Sequence, residues 1–299
     1  MVDLIAGIET GGTKIVCALA HSIEPRAIIQ RIIIPTREPA ASLAAITDFL
    51  SAAPGTVSGI GIASFGPLDL DRTSATFGHL TSTPKLGWEG TDVFHTITQN
   101  FPDAAADLVT DVNGSALGEA RWGAGRGHDR LAYVTVGTGV GGGFIHQGQL
   151  LAGSGWPEIA HTIIRRHGDD AFAGNCPFHA DCLEGLASGP AITARWGVDG
   201  SQLDPESTEL NLRILSYYLA QLCVNLAYTL GIELVVMGGG VAKTPGLLAR
   251  IETEAARIMG LPGANGTSIN RIHIVPPELG DDAGVLGALL VAQSALLAK

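Results

Sequence analysis

One pattern occurs twice in this chain: an apolar strand, a glycine turn carrying threonine, and a second strand, first in DLIAGIETGGTKIVCALA and again in RLAYVTVGTGVGGGFIHQGQLL. An echo half a chain apart marks a duplicated fold. With strands and helices alternating elsewhere, it places the chain among α/β proteins whose helices cover the sheet faces. The first unit continues through AIIQRIIIP as a third strand of an antiparallel meander. A helix is expected over about 40–52, a buried strand in VSGIGIASFGP, a strand in ADLVTDVN ending on an acid, and a small-residue helix from Asn113. A long helix over about 208–231, the strand ELVVMGGG, a helix over about 245–259, the strand RIHIVP and a closing helix over about 281–297 complete the reading. The Pro/Gly/Thr-rich stretch 70–88 reads as a long ordered loop of the kind that covers a site.

At 299 residues the chain is long for one core and comfortable for two domains. Its 46% apolar and 16% charged content fits a well-packed soluble enzyme, and no apolar run is expected to span a bilayer. A net charge of −11, with 18 scattered Lys and Arg, excludes nucleic acid as an expected partner. The 40 glycines follow no period, and they are expected at strand ends where backbone meets a ligand.

Three glycine turns follow apolar strands: Thr10 to Lys14, Gly137 to Gly143, and Gly238 to Gly240. Each alone could be a plain hairpin. Together, two of them with threonine, they offer N–H and hydroxyl donors to the phosphates of a nucleotide. None has the spacing of a P-loop or of a dinucleotide-binding fingerprint. Asp111, at the end of ADLVTD, is either a helix N-cap or a general base able to take a proton from a substrate hydroxyl. If Asn113 is the cap, Asp111 is released for that second task.

Cys176, His179 and Cys182 stand three residues apart, with His161 and His167 upstream as rivals for a fourth place. Two thiolates and imidazoles at this spacing suit a tetrahedral Zn2+ site, against the alternatives of a disulfide or two inert thiols. The chain has four cysteines, and Cys17 and Cys223 lie singly in apolar runs where a thiol behaves as a small hydrophobe. Met1 runs straight into a polar start and a strand, so no secretory segment is expected and a reducing, cytoplasmic setting is.

These stretches resemble the ROK family of sugar kinases and sugar-responsive repressors, within the actin-like ATPase superfamily, and its bacterial fructokinases in particular. The resemblance is carried by GIETGGTK, SFGPLDL, TSTPKLGW, TDVNGSALGEARWGAG, VTVGTGVGGG, EIAH with NCPFHADCLEGLASGPAI, MGGGVAKTPGLL and DDAGVLGALLVA. It implies a two-domain actin-like (ribonuclease H-like) fold with an inserted zinc loop. The smaller domain would span 1–114 plus about 285–299, and the larger 115–284. It places Gly11, Gly12, Thr13 and Lys14 at a first phosphate loop, Gly137, Thr138 and Gly139 at a second, and Gly238, Gly239 and Gly240 beside the nucleoside. Asp111 matches the catalytic base. Gly66, Pro67, Asn113, Glu158, His161 and Glu184 match positions lining the sugar pocket or its edge.

The family's Glu-x-Gly-His motif makes His161 the fourth zinc ligand beside Cys176, His179 and Cys182, although Ala160 stands where glycine is usual. Glu9 likewise replaces a common aspartate, one methylene shorter, that serves near magnesium. The resemblance begins at Met1, so no DNA-binding extension is expected, and the kinases are favoured over the repressors. The resemblance thus implies an ATP-, Mg2+- and Zn2+-containing fructokinase forming fructose 6-phosphate, cytoplasmic and homodimeric. The alternatives are a glucokinase or mannokinase of the same family, or a non-catalytic sugar sensor.

Overall fold

A computed structural model describes residues 3–83, 85–151, 155–260 and 271–299. The chain divides into two compact units, one of residues 3–83, 85–121, 155 and 281–299, the other of residues 122–151, 156–260 and 271–280.

The first unit is built on β1 (Leu4–Thr10), β2 (Lys14–His21), β3 (Glu24–Pro35), β4 (Val57–Ser64) and β5 (Ala105–Thr110), with helices α1 (Pro39–Ser51), α2 (Val93–Thr98) and α3 (Asp111–Trp122). The strand order is β3-β2-β1-β4-β5; the meander β1 to β3 is antiparallel, and β4 and β5 join it parallel. β1 is buried along its length except at Glu9, as expected of a central strand covered on both faces. Pro39, with its preset backbone angle, opens α1, and Leu43, Ile46 and Leu50 recur on its buried side.

The second unit repeats the scheme. β6 (Arg130–Val136), β7 (Val140–His146) and β8 (Gln149–Leu150) are antiparallel, and β9 (Leu234–Gly238) and β10 (His273–Val275) add parallel strands, so that β8-β7-β6-β9-β10 reproduces the first sheet's order. The duplication legible in the two glycine turns therefore extends to whole sheets.

Helices α4 (Leu183–Ala187), α5 (Gly189–Trp196), α6 (Pro205–Leu230) and α7 (Leu247–Met259) complete this unit. α6 starts three residues before its expected position because Asp204 caps it, accepting from the Glu206 and Ser207 N–H groups at 3.0 Å, with Pro205 next in line. It ends where Gly231 takes a left-handed φ of 67°. α2, α4 and α5 were not expected, being short and lacking a readable apolar period. The strand read in RIHIVP shrinks to β10.

Helix α8 (Ala283–Leu297) returns to the first unit and packs on β1, β4 and β5. Glycines let it approach closely. A Cβ on Gly61 would strike the Ala288 carbonyl oxygen, and one on Gly287 the Gly114 carbonyl. This corrects the expectation that the glycines gather at ligand-facing strand ends, since several serve backbone-to-backbone packing instead. Gly280–Leu297 is long and apolar enough to cross a membrane, contrary to the sequence reading; half of it is buried inside the fold, as in a core helix. Each fully buried side chain here, Leu289 for example, contributes roughly 2 kcal/mol.

Candidate active site

The first unit brings the first glycine turn, the Gly66–Pro67 corner and Asp111 to the carboxyl ends of β1, β4 and β5. Thr10 and Ser64, both fully buried, tie the first two ends together through a hydroxyl hydrogen bond of 2.7 Å. The turn closes by Gly11 N–H donating to Lys14 O at 3.0 Å, and Thr36 Oγ1 donates to Gly11 O at 2.7 Å. Thr13 and Lys14 are exposed. Lys14 Nζ lies 3.2 Å from Asp281 Oδ2. Pro67 presents its carbonyl to Thr81, accepting from its N–H at 2.8 Å and its hydroxyl at 3.2 Å.

The stretch 70–88 is an ordered run of turns, as expected, with Pro84 outside the described residues. Trp88, fully buried, anchors it by donating from Nε1 to Arg37 O at 2.9 Å and meeting Phe65 edge-on. From this loop Lys85 Nζ donates to Gly12 O at 2.6 Å and reaches Thr36 O at 3.4 Å. Nothing in the sequence singles out Lys85, because a lone lysine carries no spacing signal.

Asp111 is the first residue of α3 rather than the last of a strand. Thr110 Oγ1 accepts from the Asn113 N–H at 3.3 Å, so Thr110 is the cap and Asn113 is not. Asp111 Oδ1 accepts from the Val112 N–H at 2.8 Å. Asn113 is fully buried, and neither end of its amide has a partner among the described residues, a costly arrangement unless a ligand or water completes it. Glu9, beside the turn, is pushed up from 4.5 to about 7 by burial first and the Asp111 carboxylate second, against the pull of Lys14. Its Oε2 has no hydrogen-bond partner among the described residues, and Gly284 leaves the room that the longer side chain needs.

In the second unit, Gly137 N–H donates to Gly139 O at 2.8 Å, and Gly137 O accepts from Gly189 N–H at 2.7 Å. Glu184 Oε2 accepts from Val140 N–H at 3.0 Å, so this carboxylate, matched by resemblance to the sugar pocket, is tied to the second glycine turn. Thr138 is exposed at the tip. The third run adjoins it: Gly240 N lies 3.7 Å from where a Gly137 Cβ would stand. Gly239, at φ 91°, passes so close to the Val136 carbonyl that a side chain would collide with it.

His161 Nδ1 lies 3.7 Å from Cys176 Sγ and 3.6 Å from Cys182 Sγ, and His179 Nδ1 is 3.9 Å from Cys176 Sγ. All four ligand atoms fall within 4.8 Å of one another. Donors at zinc bond lengths of 2.0–2.3 Å sit roughly 3.3–3.8 Å apart at the corners of a tetrahedron, so the cluster is compatible with a zinc site. The backbone builds it by pairing Cys176 with Ala180 in both directions, at 3.1 and 2.9 Å. Burial, with the Cys176 sulfur adding to it, pushes the Cys182 thiol up.

His167 is elsewhere, its Nδ1 accepting from the Asp169 N–H and its ring against Tyr217. Ala160 is buried in the turn that carries His161, so a methyl group fits where glycine is usual, while Glu158 is exposed. Cys17 and Cys223 are buried thiols pushed up to about 12 by that burial, as expected of lone apolar cysteines.

A buried ion pair that sequence gave no sign of secures the loop upstream of the knuckle. Arg195 meets both oxygens of Asp170 at 3.1 and 3.0 Å, and Tyr218 donates to Asp170 Oδ2 at 2.6 Å. Burial opposes the charge on Asp170, yet bonds from Tyr218 and Arg195 hold it below its ordinary value. The same burial, with Asp170 beside it, pushes Tyr218 up to about 12.

Residues 5–295 match the ROK family, and the chain belongs to it. Its relatives include the fructokinase of Zymomonas mobilis, 41% identical over 293 residues with 96% of each chain covered, and that of Lactococcus lactis, 40% identical over 288 residues with 96% of each covered. A ROK family glucokinase from Streptomyces griseus, solved with glucose and AMPPNP, superposes with a TM-score of 0.73 at 25% identity, covering 97% of this chain and 99% of the other. The fold is the actin-like ATPase fold expected from the sequence.

Proposed function

We propose that this chain is an ATP-dependent fructokinase that forms fructose 6-phosphate. The observation that carries the reading is identity of 40–41% to fructokinases over nearly the whole chain. The glucokinase and N-acetylmannosamine kinase relatives stand at 28% and 27%.

In this reading the hydroxyl oxygen of the sugar attacks the γ-phosphorus, the bond from phosphorus to the β-γ bridging oxygen breaks, ADP leaves, and the hydroxyl proton passes to the Asp111 carboxylate. Little covalent work falls to the protein, so positioning and charge dominate. The turns at Gly11 to Lys14 and Gly137 to Gly139 hold phosphates, and Gly238 to Gly240 border the nucleoside. Gly66, Pro67, Asn113, Glu158, His161 and Glu184 face the sugar. The orphaned amide of buried Asn113 supports a polar ligand there. Magnesium, if bound with the nucleotide, would neutralise phosphate charge, and the Asp281 carboxylate is an oxygen donor of suitable hardness near the first turn. Zinc would be held by His161, Cys176, His179 and Cys182 as a structural tie, keeping His161 and Glu184 in register. A cytoplasmic setting and a homodimer are carried over from the family.

The test is a panel of hexoses assayed with ATP and Mg2+ for phosphorylated product. Fructose should give the highest kcat/KM and fructose 6-phosphate as product. Preference for glucose or mannose would reassign the substrate, and no turnover with any hexose would leave a sugar sensor.

A further inference from the structure

The first glycine turn is oriented from its carbonyl side. Within a planar trans peptide the C=O of one residue and the N–H of the next point in opposite directions, so fixing one aims the other. Thr36 Oγ1 holds Gly11 O at 2.7 Å, which directs the Gly12 N–H away from Thr36. Lys85 Nζ holds Gly12 O at 2.6 Å, which directs the Thr13 N–H away from Lys85. Neither N–H has a hydrogen-bond partner among the described residues, and the space over Gly12 is open. Two successive N–H donors fixed in this way suit an anionic oxygen.

Charge points the same way. Lys14 is paired with Asp281, whereas the contacts of Lys85 are two carbonyl dipoles, and no carboxylate lies within ion-pair distance of it among the described residues. Its ammonium has three protons, and two of them are taken up by Gly12 O and Thr36 O. Its backbone is fixed as well, because Lys85 O accepts from the N–H of fully buried Trp88 at 3.1 Å.

We propose that Lys85 is a positioning residue for the phosphate chain of ATP, locking the Gly12 peptide so that the Thr13 N–H, on the side away from the ammonium, meets a phosphate oxygen, while the uncompensated positive charge acts on it across that peptide. This rests on the kinase reading of the site. The test uses the full chain with Lys85→Met, which keeps an unbranched apolar stem one atom shorter but removes the charge and the donor, and Lys85→Arg, which keeps both. Dissociation constants for ATP and for adenosine, which has no phosphate, are measured on the same samples, with kinetics for ATP and fructose.

Lys85→Met should weaken ATP roughly tenfold, the scale of a lost charge-assisted hydrogen bond, while adenosine affinity and KM for fructose stay unchanged, and Lys85→Arg should recover most of the loss. Equal losses for ATP and adenosine would assign Lys85 a structural role and overturn the proposal, as would an ATP affinity equal to that of the wild type. Wild-type protein that binds no ATP and phosphorylates no hexose would remove the kinase reading itself, a result distinct from failure at Lys85 alone.

Discussion

Asp111 owes its place to the residue before it. Thr110 caps α3, so the carboxylate sits in the first turn with Oδ1 on the Val112 N–H. As the base it would contribute by accepting one proton, an effect worth roughly 10²- to 10⁴-fold in rate. Asp111→Asn is expected to lower kcat by about 10³-fold, with fructose affinity, measured by calorimetry, within a few-fold of the wild type; near-normal kcat would take the base role away from it. The residue type and its approximate position were legible in TDVN, but its register was not. Thr110 and Asn113 are both good capping residues, and only the backbone decides which side chain reaches which N–H. Lys85 escaped notice for a related reason: its partner is a backbone carbonyl 73 positions away, and carbonyls have no sequence signature.

At the level of elements the metal loop joins two kinds of constraint. Downstream, the Cys176 to Ala180 pairing and the capped start of α5 shape the knuckle; upstream, Asp170 is fixed by Arg195 and Tyr218. The loop therefore has a metal-independent footing, and losing a ligand should empty the site without unravelling the unit. Metal analysis by mass spectrometry is expected to give about one zinc per chain, retained in His167→Ala and lost in His161→Ala, with circular dichroism little altered in both. Retention in His161→Ala would break the assignment. The knuckle was legible because Cys-x2-His-x2-Cys has a fixed spacing. The ion pair was not, since Asp170, Arg195 and Tyr218 are scattered residues whose meeting depends on how α5 and α6 pack.

For the molecule as a whole, the repeated strand, turn and strand pattern carried the architecture, and the two sheets share one strand order. The short helices α2, α4 and α5 were invisible because five to eight residues give too little period to read. Stability should register the burial of Glu9 beside Asp111 at the first turn. Glu9 is held at about 7 in the fold against 4.5 in an exposed chain. Below 4.5 both states keep the proton and nothing is lost; as pH rises from 4.5 through 7 the unfolded chain releases it while the fold resists, so stability declines, by about 3 kcal/mol in total. Glu9→Gln cannot titrate. Its melting temperature is expected to gain on that of the wild type between pH 5 and pH 8, and parallel pH profiles for the two proteins would refute this.

Helix α8 has a bearing on how the chain is made. Residues 283–297 leave the ribosome only after the whole of the second unit has been synthesised, so until then the face of the first sheet that α8 covers, with the bare glycine backbone of Gly59 and Gly61, has no lid. The first unit must therefore wait for its last helix before that face of its sheet can close.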